Sequence, residues 1–192
     1  MNKITEQLFQ TRKIIDALIE DNRTTKNIND ASELIIASYK MGGKLLLAGN
    51  GGSAADAQHI AGEMVSKFAF DRPGLSAIAL TTDTSVITAI GNDYGYEFLF
   101  ARQIQAIGRP GDVFIGYSTS GKSQNILKAF EEAKYRGLKT IGLTGNNSGE
   151  FTKLCDLAIE IPSGDTPKIQ EAHLMVGHII CLIVESKIFG NE

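Results

Sequence analysis

The chain has little with which to staple or anchor itself. Two cysteines, Cys155 and Cys181, among 192 residues make no disulfide framework and suit a reducing compartment. Cys181 lies in an apolar run and reads as a small core residue. There is no excess of positive charge. A net charge of −3 and a pI near 5.7 exclude the basic footprint of a nucleic-acid or anionic-membrane binder. An anionic ligand must then be held locally, by backbone N–H groups and hydroxyls. The first ten residues, MNKITEQLFQ, have no apolar h-region of the signal-peptide kind. The longest comparable apolar run, Ile179 to Val184, is far short of the ~20 residues that span a bilayer. The expectation is a cytoplasmic protein with neither a membrane nor a nucleic-acid partner. No Pro-rich linker, low-complexity segment or long-period repeat interrupts the chain. Residues 1–192 therefore read as one domain, a helical extension over 1–41 followed by an α/β core over 42–192.

What is present is enough apolar residue for a full core, 43% of the chain, arranged as short apolar runs between helical patterns. Residues 3–20 read as a helix with Ile4, Leu8, Ile15, Leu18 and Ile19 near one face. A second helix is predicted over 30–41, with Asp30 or Ser32 as N-cap and Gly42-Gly43 as the stop. Strands follow at Lys44–Ala48, Ser76–Leu80, Asp112–Gly116, Lys139–Leu143 and Leu157–Ile161. The helical segments between and after them fall at 54–68, 84–90, 96–107, 123–136, 149–154 and 167–189, the last with Pro167 near its N1 position. Apolar strands alternating with helices indicate a five-stranded parallel sheet covered on both faces. Ligands of such sheets bind at the carboxyl ends of the strands. Those ends here carry AGNGGS, STSGKS and LTGNNSG. The 167–189 helix is apolar on nearly every side. This predicts burial all round, by subunit packing and with the N-terminal helix as neighbour.

Three motifs bear on chemistry. Gly49-Asn50-Gly51-Gly52-Ser53 follows a strand and opens a helix, so its backbone can approach a ligand closely. It also serves as a plain tight βα turn. Residues 116–123, GYSTSGKS, match the GxxxxGK[ST] pattern of a nucleotide-binding P-loop. The match starts only after three βα units, and no later strand ends in the Asp that would complete a nucleotide site. The alternative is a hydroxyl cradle in which Ser118, Thr119, Ser120 and Ser123 hold a phosphate at a helix N-terminus. An ST-capped helix start remains beside it. Gly91-Asn92-Asp93-Tyr94-Gly95 reads as a turn whose Asn92 and Asp93 either bind sugar hydroxyls or form an Asx-turn.

The three histidines fall in two helices. His59 and Glu63 are four residues apart and share a helix face. Such a pair suits a metal or acid/base role, and is also common on solvated faces. Asp56 either orients the His59 ring or is a first-turn acid facing the helix dipole. Gln170, His173 and His178 lie on the last helix. Gln170 and His178 are eight residues apart, ~12 Å of axial rise, which strains any shared metal site. His173 reads as a capping or packing histidine.

Taken together, GNGGSAADAQH, HIAGE, ALTTDTS, AIGNDYG, YSTSGKS and KIQEAHLMVGH resemble the phosphoheptose isomerases, enzymes built on the sugar isomerase (SIS) domain. The resemblance runs from about residue 42 to 189. It implies a three-layer flavodoxin-like SIS fold and a homotetramer with N-terminal helices at the subunit packing and sites near the interfaces. It also implies isomerisation of sedoheptulose 7-phosphate to D-glycero-D-manno-heptose 7-phosphate, the first step of bacterial ADP/GDP-heptose synthesis. By the same resemblance Asn50, Gly51, Gly52, Asn92, Asp93, Ser118, Thr119, Ser120 and Ser123 contact the phosphosugar. His59, Glu63, Gln170 and His178 correspond to ligands of one Zn²⁺ per subunit, with Glu63 and His178 as the acid/base pair and Glu63 and Gln170 also touching substrate. A non-enzymatic relative, an initiator-associating replication factor, shares the fold but lacks the Glu and the last His. Both are present here. SIS-domain transcription regulators carry a helix-turn-helix module, for which the ~40 residues before the first strand leave no room.

Overall fold

A computed structural model describes residues 2–146 and 149–190. Its centre is β1 (Leu45–Ala48), buried at all four positions, and β3 (Val113–Ser118), buried at all six. With β2 (Ala77–Ala79), β4 (Lys139–Thr144) and β5 (Leu157–Glu160) they form an all-parallel sheet in the order β2-β1-β3-β4-β5. The register pairs Leu46 with Ile78 on one side and with Phe114 on the other. The chain turns outward from β1 to β2 and then returns past β1 to β3. The loops after β1 and β3 therefore diverge, and the crevice between them is the topological switch point.

Side chains alternate across the sheet and build two cores. Leu45, Leu47, Val113, Ile115 and Tyr117 join the face covered by α1 (Lys3–Glu20), α2 (Asn22–Lys40), α3 (Gly52–Val65) and α8 (Thr166–Phe189). Leu46, Ala48 and Phe114 join the other, under α5 (Leu99–Ile107), α6 (Gln124–Tyr135) and α7 (Phe151–Leu154). Phe114, Phe130 and Phe151 stack edge to face there with centroids 5.1 and 5.2 Å apart, each contact contributing about 0.5–1.5 kcal/mol beyond area burial. The remaining helix, α4 (Thr84–Asp93), is capped by Asp83, whose carboxylate accepts from the Val86 N–H.

Several boundaries differ from the sequence expectation. Helix α2 starts at Asn22, capped by Asp21, rather than near residue 30. Its first turns, NRTTKNIND, are polar and β-branched and carry no apolar period. Asp30 pairs with Lys26, and Ser32 donates to the Ile28 carbonyl. The apolar stripe of α1 is split as well. Of the expected residues Leu18 is buried, Ile15 is half-buried and Ile4, Leu8 and Ile19 are exposed, while Ile14, outside that stripe, is buried. The 84–90 helix extends through Asp93, and residues 96–98 form a separate 3₁₀ turn before α5. Helix α8 is long and apolar enough to cross a bilayer by length and composition. It packs instead against α1, α2 and α3 and buries Ile169, Val176, Ile180 and Val184. Burial all round does not hold within one chain, because Ile179 and Leu182 stay exposed.

Candidate active site

Helix α3 begins directly at the end of the loop after β1. Gly51 adopts φ 58°, a conformation that costs glycine little and L side chains more. This lets the chain turn from strand to helix in three residues. The helix starts at Gly52, two residues earlier than its sequence pattern implies, so Asp56 lies in the second turn. That corrects the first-turn reading. Asp56 is buried, its Oδ2 has no hydrogen-bond partner among the described residues, and no hydrogen bond joins it to His59. Burial pushes its carboxyl up to about 6, against the opposing pull of His59.

One turn on, His59 and Glu63 share a face of α3, with His59 Nε2 3.3 Å from Glu63 Oε1. His178 approaches from α8, and its Nε2 stands 2.9 Å from His59 Nε2. The three ligand atoms lie within 4.8 Å of one another. Separations near 3.3 Å are what two ligands on one tetrahedral cation with ~2.0 Å bonds require. The donor set, two imidazoles and a carboxylate, suits a borderline divalent metal. The cluster is open to solvent on one side, the His59 side chain being 45% and that of Glu63 26% exposed. Gln170 sits two turns earlier on α8 with its amide against the loop after β1. A Cβ on Gly52 would come within 2.5 Å of Gln170 Oε1.

His173, the third histidine, is a packing residue, as its sequence position suggested. It is fully buried beside Tyr117, with Nε2 3.3 Å from the Thr144 carbonyl. Burial drives its ring down to about 4, with the Thr144 contact opposing.

The loop after β3 folds on its own hydroxyls. Ser118 Oγ and Ser123 Oγ are 3.1 Å apart, and the Lys122 N–H donates to Ser120 Oγ. Thr119 and Ser120, with Lys122, Asn146 and Thr166, line a cavity of about 540 Å³. It lies at the N-terminus of α8, an arrangement that favours an anion. A second cavity of about 440 Å³ opens beside Asn50, Tyr96, Ser123, Asn125 and Lys128. Both volumes fall within the range of small-molecule sites. Of the third Gly-rich loop, Asn147 and Ser148 lie outside the described residues.

Two contributors to this crevice carry no sequence signal. Asn125, buried in the first turn of α6, exchanges two amide hydrogen bonds of 2.9 and 2.8 Å with Asn50. Tyr96 donates its hydroxyl to Asn50 Oδ1 at 3.0 Å. Together they hold the loop after β1 against the helix after β3. Asn92 and Asp93 belong to the last turn of α4 instead of a loop. They are exposed and bond to each other, Asn92 Nδ2 to Asp93 Oδ1.

The sequence profile of the SIS domain family matches residues 9–145. The chain is 61% identical over 189 residues to a phosphoheptose isomerase of Burkholderia pseudomallei, covering 98% of this chain and 96% of the relative. It is 61% identical over 176 residues to phosphoheptose isomerase 2 of Campylobacter jejuni, covering 92% and 88%. Among solved structures, the phosphoheptose isomerase GmhA of Neisseria gonorrhoeae superposes with a TM-score of 0.89 at 37% identity, covering 96% of this chain and 97% of that one.

Proposed function

The chain belongs to the SIS-domain phosphoheptose isomerases, and from that premise we propose how its residues divide the work of isomerising sedoheptulose 7-phosphate to D-glycero-D-manno-heptose 7-phosphate in heptose biosynthesis. The reaction moves one proton from C1 to C2 through an enediol. It needs a base that takes the C1 proton and returns it at C2, and an acid that serves the oxygens. Glu63 takes the first role and His178 the second. Their approach from two helices, beside His59, is the observation that carries this reading. Glu63 Oε1 faces His59, which leaves its other oxygen for the C1 proton. His178 gives a proton to O2 as the enediol forms and recovers one from O1 as the aldehyde forms.

The phosphate sits against the hydroxyls of Ser118, Thr119, Ser120 and Ser123: Thr119 and Ser120 line one cavity with Lys122, and Ser123, bonded to Ser118, lines the other at the α6 N-terminus, where negative charge is favoured. Anchoring it there, remote from the reacting carbons, holds C1 and C2 in place for proton transfer. Asn50, Gly51 and Gly52 line the sugar beside Gln170, and Asn92 and Asp93 reach its hydroxyls. His59, Glu63, Gln170 and His178 hold one Zn²⁺ per subunit. When bound, the cation supplies charge stabilisation at the carbonyl and hydroxyl oxygens.

The assembly is a homotetramer with its sites near subunit interfaces. Two features support this. The His59 cluster is open on one side, and apolar side chains around it, Val65, Ile179 and Leu182, are exposed. The protein works in the cytoplasm. The direct test of roles is Glu63→Gln. The variant should lose at least about a thousand-fold in kcat while keeping phosphosugar binding measurable by calorimetry. Near-wild-type turnover would remove Glu63 from the proton transfer.

A further inference from the structure

Arg72 and Glu185 belong neither to the cradle nor to the ligand cluster, yet they form the most deeply buried ion pair among the described residues. Their side chains are 2% and 0% exposed, with Arg72 Nε 2.9 Å from Glu185 Oε1. A buried pair of this kind is often replaceable by apolar residues with no loss of stability. Its presence calls for a reason beyond stability, and its hydrogen bonds supply one.

Glu185 Oε1 also accepts from the Phe68 N–H at 2.8 Å, and Oε2 from the Ala69 N–H at 2.7 Å. The Arg72 guanidinium is spent on the end of α3. It donates to the carbonyls of Glu63 at 2.9 Å, Met64 at 2.7 Å and Ser66 at 3.2 Å, and also to Pro73 at 3.1 Å. These carbonyls include the terminal groups that an α-helix leaves without partners, and a cation there is favoured by the helix dipole. One end of the pair therefore grips the backbone of Glu63 itself. The other end is fixed on α8 seven residues after His178, two turns along the same face. The linking segment touches the cluster directly, because the Phe68 ring packs on His178 with centroids 5.5 Å apart. The two helices are tightly packed nearby, where a Cβ on Gly177 would come within 2.5 Å of Ile60 Cδ1.

We propose that Arg72 and Glu185 are positioning residues: the buried pair locks α3 to α8 in the register that brings His59, Glu63 and His178 onto one cation and one substrate. The inference rests on the reading of those three residues as ligands and acid/base groups. Its test is therefore separable from turnover. Cobalt(II) serves as the probe, read by its visible absorption and by competition titration. Arg72→Lys keeps the charge but cannot bridge the carboxylate and several carbonyls at once. It should bind cobalt about ten-fold or more weakly, with an altered absorption band. In the isomerase assay kcat should fall by a similar factor while KM stays within about two-fold, because the phosphate is held elsewhere.

The comparison variant is Asp112→Asn, which breaks the buried Lys44–Asp112 pair just before β1 and β3, a pair that belongs to neither α3 nor α8. It should lower Tm and leave cobalt affinity unchanged. Should Arg72→Lys fail to fold, Glu185→Gln is read in the same way. Wild-type cobalt affinity in the Arg72 variant, or an equal loss in Asp112→Asn, overturns the positioning role alone. Wild-type protein that takes up no cobalt overturns the metal reading and this inference with it.

Discussion

His59 Nε2 and His178 Nε2 face each other at 2.9 Å beside a carboxylate, whereas His173 is sealed among apolar groups. The same side chain is thus placed for opposite ends. The sign of the His173 effect can be worked out. Its ring is held near 4 in the folded protein against about 6.5 when unfolded, so the unfolded chain binds the extra proton between those values. Stability should be full above pH 6.5 and fall as pH drops toward 4, by an amount on the order of 3 kcal/mol. His173→Leu should flatten that part of the profile in urea denaturation followed against pH. The Thr144 carbonyl would keep the Ile161 N–H as donor. An unchanged slope would mean that another group carries the acid sensitivity. At this scale the sequence made His59, Glu63 and His178 readable, the first two by helical spacing and the third only by family resemblance. Asp56 was misplaced because α3 starts two residues early. Asn125 and Tyr96 were silent, since a pairing between side chains of two different βα units leaves no local pattern.

The decisive elements are β3 and the start of α3, and a glycine in each separates function from stability. Gly52 faces the end of a flexible side chain, the Gln170 amide, at 2.5 Å from a notional Cβ. Gly52→Ala should fold with a Tm close to wild type, because Gln170 can swing away. The displaced amide should then cost about ten-fold or more in kcat. Gly116 in β3 faces the Phe130 ring at 2.6 Å inside the core. Gly116→Ala should lose about 1–3 kcal/mol in denaturant melts by overpacking. Equal Tm losses in the two variants would contradict this division. The strands were legible because central parallel strands are continuous apolar runs. The start of α2 was not, because its exposed polar turns are fixed by Asp21 and by packing of α2 on α8 rather than by an apolar period.

Over the whole molecule, the strand order sets the site. Because β1 lies between β2 and β3, the GNGGS loop and the Ser-rich loop meet at the carboxyl ends of the strands, and the cluster stands farther along α3, where α8 packs on it. That convergence was readable as alternating strands and helices, while the angle at which α8 returns to α3 was not, since it depends on the buried Arg72–Glu185 pair far apart in sequence. A single chain also leaves Ile4 and Leu8 on α1 and Ile179 and Leu182 on α8 exposed, the kind of apolar surface that marks an interface. Leu182→Glu should yield species smaller than the proposed tetramer by light scattering, with reduced turnover. An unchanged mass would move the interface elsewhere. The central claim, a metal-dependent phosphosugar isomerase, is tested most directly by incubating the purified protein with sedoheptulose 7-phosphate and following C1 by NMR, with and without a chelator. The account predicts growth of aldose signals in the metal-loaded sample and their loss on chelation, restored by added Zn²⁺. Sedoheptulose 7-phosphate that stays unchanged in the metal-loaded sample would contradict it.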